Sequence, residues 1–286
     1  MFTVFSYKKV AKICAFTTLF LLGCTFVFTA PAAQTVSVKS SCRLPVVMYH
    51  QVCTNSAIYG DYVIPPSVLE SDFEYMLNAG YTPVSLGQLN EYVKLGTPLP
   101  AKPILITFDD GERSFLTRVV PLLVKYSYPA VVNVIGSLAD LYTENGETDD
   151  SYAYLNAADL KELSENPLVE IGCHTYGMHE LGARRGMGKM QSESETDYCA
   201  ALTDDYEKFT ERTCPLIGGK TAILAYPYGI CGDTVRELAR SFGFTVTLTC
   251  REKVNTLTVG GDLYELGRFN RPYGVSSSVF FEKLER

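Results

Sequence analysis

Short apolar runs alternate with stretches of helical spacing through residues 43–286, and this alternation constrains the fold more than any other feature. Strand-like runs are read at 45–49, 103–108, 130–135, 168–173, 221–226, 244–248 and 264–268. Between them the pattern predicts helices. In 66–79, Val68, Leu69, Phe73, Met76 and Leu77 recur at helical intervals and Gly80 ends the run. Further helices are expected over 114–126, 156–164, 194–211 and 233–242, the last with Asp233 as its N-cap. Strands separated by helices imply a parallel sheet with right-handed crossovers. The expected α/β fold is therefore a distorted or incomplete (β/α) barrel of about seven parallel strands. An open doubly wound sheet is the alternative, weakened because no G-x-G-x-x-G follows the first strand and no P-loop is present.

The first 33 residues differ in kind. Lys8, Lys9 and Lys12 precede an uncharged apolar stretch that ends in small residues at Ala30, Ala32 and Ala33. Residues 1–33 thus read as a signal peptide or a membrane anchor. Ala30-Pro31-Ala32 is a candidate cleavage site, and Leu21-Leu22-Gly23-Cys24 an alternative lipidation site. Each reading places the remainder outside the cytoplasm, extracellular or anchored at the cell surface. A polar tether over 34–42 then leads into one domain, 43–286, expected to be a monomer. Seven cysteines follow the leader, and Cys42 with Cys53 and Cys199 with Cys214 are short-loop disulfide candidates. Lys plus Arg is 25 against 32 for Asp plus Glu. That acidic balance argues against nucleic acid as a partner, since phosphate binding needs clustered cations.

In parallel α/β folds the chemistry sits where strands end. His50 follows the first strand, Asp109 and Asp110 follow 103–108, and His174 and His179 follow 168–173. All three histidines of the chain therefore fall at strand ends. His174 and His179, five apart, would not share a helical face, but a loop can bring both imidazoles to one point. Two imidazoles and a carboxylate suit a divalent metal with open positions. Two adjacent carboxylates repel, which favours a division of labour: one binds the metal, the other accepts a proton from the attacking water. His50 is a candidate general acid for the leaving group. In Tyr226-Pro227-Tyr228-Gly229, the backbone N–H of Tyr228 could face a developing oxyanion. With 19 tyrosines and no tryptophan, stacking on a sugar must use Tyr or Phe.

Thr107-Phe108-Asp109-Asp110-Gly111 and His174-Thr175-Tyr176-Gly177-Met178-His179 resemble the T-F-D-D-G and H-[ST]-x-x-x-H motifs of polysaccharide deacetylases, the NodB-homology domain of carbohydrate esterase family 4. The resemblance runs from about residue 45 to the C-terminus and makes 43–286 the catalytic domain. It implies a distorted (β/α) barrel and metal-dependent removal of acetyl groups from a glycan. On it, Asp109 is the catalytic base, and Asp110, His174 and His179 hold the metal. The opening Pro45-Val46-Val47-Met48-Tyr49-His50 is similar to a subgroup with permuted motif order that includes poly-N-acetylglucosamine deacetylases, in which the early histidine does the work of a late one. The sequence departs from the family at Ala225, where an arginine usually orients the base. Arg268, Arg271 or a lysine are the candidates to replace it.

These readings together predict a metal-dependent enzyme removing N-acetyl groups from N-acetylglucosamine-containing polysaccharide. Asp109, His50 and Tyr228 are catalytic in this reading. Asp110, His174 and His179 bind one divalent metal, zinc first, with cobalt, nickel or iron as alternatives. Tyr226, Pro227 and Arg268 bind substrate. An O-acetyl esterase on a xylan-type polymer, a surface glycan-binding protein with a structural metal, and a cyclic-amide hydrolase on the same barrel are the rival readings.

Overall fold

The computed structural model describes residues 41–285. The expected leader and residues 34–40 of the tether lie outside the described residues. The tether's last two residues, 41 and 42, belong to the strand Ser41–Leu44, which pairs antiparallel with Asn255–Thr258.

Among the described residues, nine strands form one sheet in which every pairing is parallel. Eight follow the spatial order Leu263–Leu266, Val246–Leu248, Ile223–Ala225, Val169–Cys173, Ala130–Val134, Pro103–Phe108, Val46–Tyr49, Phe269–Asn270. The short strand Thr82–Pro83 pairs separately with Pro103–Phe108. The two edge strands of this order are separated in sequence only by Gly267 and Arg268. Three Cα steps span at most about 11 Å, so the edges face each other across a narrow seam and the sheet curls into an incompletely closed (β/α) barrel. The Asn255 side chain stitches that seam. Its Nδ2 donates to the carbonyls of Leu44 and Gly267, and its Oδ1 accepts the Gly267 N–H.

The strands sort their side chains with a period of two. Val46, Leu105, Val131, Ile223 and Val246 join one apolar cluster with Leu86, Leu89, Tyr92 and Val93 of the helix Leu86–Leu95. Val47, Ile104, Ile106, Val132 and Leu224 join the other, with Phe73 of the helix Pro66–Asn78, Leu160 of Ala157–Ser164, and Leu202 and Tyr206 of Glu195–Lys208. Pro103–Phe108 is buried at every position, as a strand covered on both faces must be.

Several sequence expectations need correction. The stretch 114–126 is helical throughout, as expected, but not α-helical throughout. A π turn over Phe115–Val119 precedes the helix Val120–Tyr126, because Pro121 has no N–H to donate back along an α-helical register. The α-helix Glu195–Lys208 likewise passes into a π turn, Phe209–Thr213. Asp233 is the first residue of the helix Asp233–Ser241 rather than its cap; Gly232 is the N-cap, and Asp233 pairs with Arg236. Among the described cysteines no disulfide forms, so neither Cys42–Cys53 nor Cys199–Cys214 is bridged. The Cys53 thiol instead accepts the Asn55 N–H.

Candidate active site

Leu105, Thr107 and Asp109 alternate onto the interior face of the barrel, which carries Asp109 inward just past the end of its strand. Asp109 is only 3% exposed. Arg268, reaching from the seam and itself fully buried, donates from Nη1 to Oδ1 and from Nη2 to Oδ2, both at 2.7 Å. Asn133 Nδ2 adds a bond to Oδ1 at 2.8 Å. Oδ2 is left facing His174 Nε2 at 4.0 Å. Burial opposes ionisation of Asp109, but the Arg268 guanidinium and the neighbouring His174 overcome it and hold the carboxyl well below the usual range.

Asp110 would face away if the strand continued. Its φ of 70° turns it back, so both carboxylates reach the same cavity. Gly111 follows at φ 76°, and a Cβ there would sit 2.9 Å from Val134 Cγ1. Asp110 Oδ1 lies 3.4 Å from His174 Nε2 and 3.2 Å from His179 Nε2. The His174 and His179 ring centroids are 4.8 Å apart. The imidazole Nδ1 of His174 lies 2.8 Å from the Ala225 carbonyl oxygen, which can only accept. Nδ1 therefore carries the hydrogen, which leaves Nε2, on the Asp110 side, as the atom that can face a cation. One carboxylate and two imidazoles, with ligand atoms all within 4.8 Å of one another, fit a divalent metal in donor chemistry and in orientation. Desolvation works against the charge on both His174 and Asp110. The charge of Asp109 and the hydrogen bond to Asp110 nonetheless raise the His174 pKa, and hydrogen bonds from His174 and His179 hold the Asp110 carboxyl low.

His50 and Tyr228 line the same cavity, of about 540 Å³, as Asp109, Asp110, His174 and His179. His50 Nδ1 is buried without a partner among the described residues, and burial lowers the imidazole pKa against the pull of both aspartates, so the ring is neutral at neutral pH. Tyr228 has a φ of 57° in the tight turn Pro227–Gly229, and its ring packs 4.8 Å from that of His179.

Three expected substrate-binding residues do not line this cavity. Tyr226 is fully buried: its N–H donates to Leu248 O, continuing the sheet, and its ring joins the apolar cluster, which leaves no ring face for a sugar. Pro227 is buried behind it. Arg268 is committed to Asp109, in the position relative to the carboxylate that the sequence left open at Ala225. Arg271, the other arginine considered, bonds Asp72 from Nε and Nη2 at 2.8 and 3.0 Å in a second buried pair completed by Tyr49. Two positions escaped the sequence reading. Asn133 is the one polar residue in the run Ala130–Val134, a signal of a special role. Gly172 makes room for it: a Cβ there would lie 2.1 Å from Asn133 Oδ1.

The polysaccharide deacetylase profile matches residues 96–247. The chain is 26% identical over 222 residues to the poly-beta-1,6-N-acetyl-D-glucosamine N-deacetylase of Escherichia coli strain K12, an alignment covering 71% of this chain and 33% of that one. It thus spans about a third of that relative's length. Identity to the enzyme of the same name from Staphylococcus aureus strain MRSA252 is 25% over 197 residues, covering 68% of this chain and 64% of that one. Among solved structures, a de-N-acetylase from Aggregatibacter actinomycetemcomitans aligns with a TM-score of 0.73 at 24% identity, covering 85% of this chain and 100% of that one. IcaB from Ammonifex degensii aligns with a TM-score of 0.69 at 25% identity, covering 85% and 97%. A profile match over more than half of the chain, on the barrel those structures share and around this cavity, makes the chain a member of the polysaccharide deacetylase family.

Proposed function

We propose that this chain is a metal-dependent N-deacetylase acting outside the cytoplasm on polysaccharide that contains N-acetylglucosamine. The observation that carries this reading is one cavity holding an ionised, arginine-clamped Asp109 beside the Asp110, His174 and His179 group. The names of the E. coli and S. aureus relatives support an amide on a glucosamine polymer as substrate. The lysine-flanked apolar leader supports export.

Asp110 and the Nε2 atoms of His174 and His179 would hold the metal. Zinc suits this donor set, as do cobalt, nickel and ferrous iron. The ion supplies Lewis acidity, lowering the pKa of water and polarising the acetamide carbonyl. Asp109 takes one proton from the water at Oδ2, the oxygen that faces the cavity, as the water oxygen bonds to the carbonyl carbon. Arg268 and Asn133 keep that carboxylate ionised and fixed in direction. The backbone N–H of Tyr228 donates to the oxygen that gains charge. The C–N bond then breaks, acetate leaves, and a proton arrives on the amine nitrogen. His50, neutral at rest, receives the proton that Asp109 took from the water and delivers it there, and the proton left on the acetyl hydroxyl is lost to solvent as acetate departs.

Acetate release from N-acetylglucosamine oligomers by the full chain, stripped of metal and then resupplied, tests the proposal. Metal-restored release that disappears in Asp109→Asn is the expected result. Release from O-acetylated xylan and not from the N-acetylated oligomers would instead assign an esterase.

A further inference from the structure

We infer that Tyr62 and Asn270 form a sugar-binding wall of the cavity, which seats the sugar unit adjoining the one that carries the reacting acetamide. The class of ligand rests on the deacetylase reading; the wall itself rests on four observations.

Tyr62 lines the cavity with 59% of its surface exposed. Single exposed aromatics are common, so the exposure matters because the ring is fixed. It packs against the His50 ring in a T-shaped contact with centroids 4.7 Å apart, and its carbonyl accepts the Gln51 N–H. The segment before it is tied to the seam side of the barrel: Asp61 O accepts Asn270 Nδ2 at 2.8 Å and Gly60 O accepts the Tyr273 N–H at 2.9 Å. The Tyr59 and Tyr273 rings, 4.9 Å apart, brace the same junction. A platform held this way loses little freedom when a ligand lands on it.

Asn270 supplies the second half. Bonding to a carbonyl fixes Nδ2 outward to Asp61, so the amide orientation is not ambiguous. Its Oδ1 is then a buried acceptor without a partner among the described residues, on a residue that lines the cavity. Such an atom calls for a donor from a ligand. A pyranose offers both complements: an apolar C–H face for the ring and hydroxyl donors for Oδ1. The chain has no tryptophan to serve instead. Position selects the adjoining sugar. In the proposed reaction Asp109, Asp110, His174 and His179 take the acetamide and His50 the amine, and Tyr62 packs on His50, one residue further from the Asp110, His174 and His179 group.

Titration calorimetry of N-acetylglucosamine monomer, dimer and tetramer into full-length Asp109→Asn protein reads binding without turnover. The expected result is tighter binding of the tetramer than the monomer. Adding Tyr62→Ala should weaken tetramer binding about tenfold and monomer binding less than about twofold, while Tyr62→Phe retains both. Asn270→Leu should weaken the tetramer selectively as well, with melting curves confirming that each variant is folded. Equal affinity for monomer and tetramer overturns the wall. Equal weakening of both by Tyr62→Ala also overturns it, because Tyr62 would then act only through His50. Acetate release by the unsubstituted protein separates the two levels. Tyr62-dependent tetramer binding without release keeps the wall and removes the deacetylase reading; release with tetramer affinity indifferent to Tyr62 does the reverse.

Discussion

Arg268 and Asp109 stand 159 residues apart in sequence and form a two-pronged, fully buried ion pair in which each guanidinium Nη meets its own carboxylate oxygen at 2.7 Å. Arg268 can do this because it occupies the seam between the two edges of the barrel. Breaking one half of a buried pair leaves an uncompensated charge and costs about 3–5 kcal/mol. Arg268→Met should therefore lower the melting temperature markedly and reduce kcat by at least about a hundredfold, through loss of the fixed, ionised base. Arg268→Lys keeps the charge but not the fork, and should recover stability more than activity. Thermal melts and kcat on the same preparations check both.

Asn133 bonds the same carboxylate from the strand next to that of Asp109, and Gly172, its partner on the following strand, leaves room for it. Asn133→Ala removes a hydrogen bond to a charged group, worth about 1.5–3 kcal/mol. Gly172→Ala should mimic it without touching Asn133, since the new Cβ would fall on Asn133 Oδ1. Both variants are expected to lower kcat with KM little changed, and to keep metal binding. Steady-state kinetics with a metal titration reads this. Full activity in Gly172→Ala would show that the Asn133 contact is dispensable.

Acid stability follows from the depressed pKa of Asp109. The ordinary value is 3.8 and the folded value lies well below it. Between the two, the unfolded chain binds a proton that the folded chain does not, so stability falls as pH falls. The contribution is whole above the ordinary value and disappears as pH drops through the folded one. Unfolding midpoints measured from pH 5 downward should thus decline more steeply in the wild type than in Asp109→Asn. Parallel curves for the two proteins would contradict the assignment.

Metal affinity should depend on the His174 tautomer. The Ala225 carbonyl holds Nδ1–H at 2.8 Å and so frees Nε2. His174→Ala and His179→Ala should each abolish tight zinc binding, while Tyr226→Phe, a buried residue outside the cavity, should leave it intact. Equilibrium dialysis against zinc distinguishes these. Retained stoichiometric zinc in either histidine variant would move the metal elsewhere.

How far the site could be read from sequence depended on distance along the chain. Asp109, Asp110 and His174 announce themselves because each lies at the end of an apolar run, His179 because it follows His174 in the same loop, and the alternation of those runs with helices specifies a parallel barrel. Arg268 could be considered but not assigned, since nothing local ties residue 268 to residue 109. Tyr226 was misplaced because its neighbours form a turn, whereas its own N–H still belongs to the sheet. The helix Leu86–Leu95 was legible in principle through its Ser85 and Gln88 capping box. Phe269–Asn270, at two residues, is too short to show any periodicity.

The most direct test of the account is acetate release from N-acetylglucosamine oligomers by metal-stripped full-length protein after zinc, cobalt, nickel or ferrous iron is restored, with Asp109→Asn alongside. The account predicts no release from the stripped protein, release on adding metal, and none from Asp109→Asn despite normal metal binding. Release that survives both chelation and the Asp109→Asn substitution would contradict it.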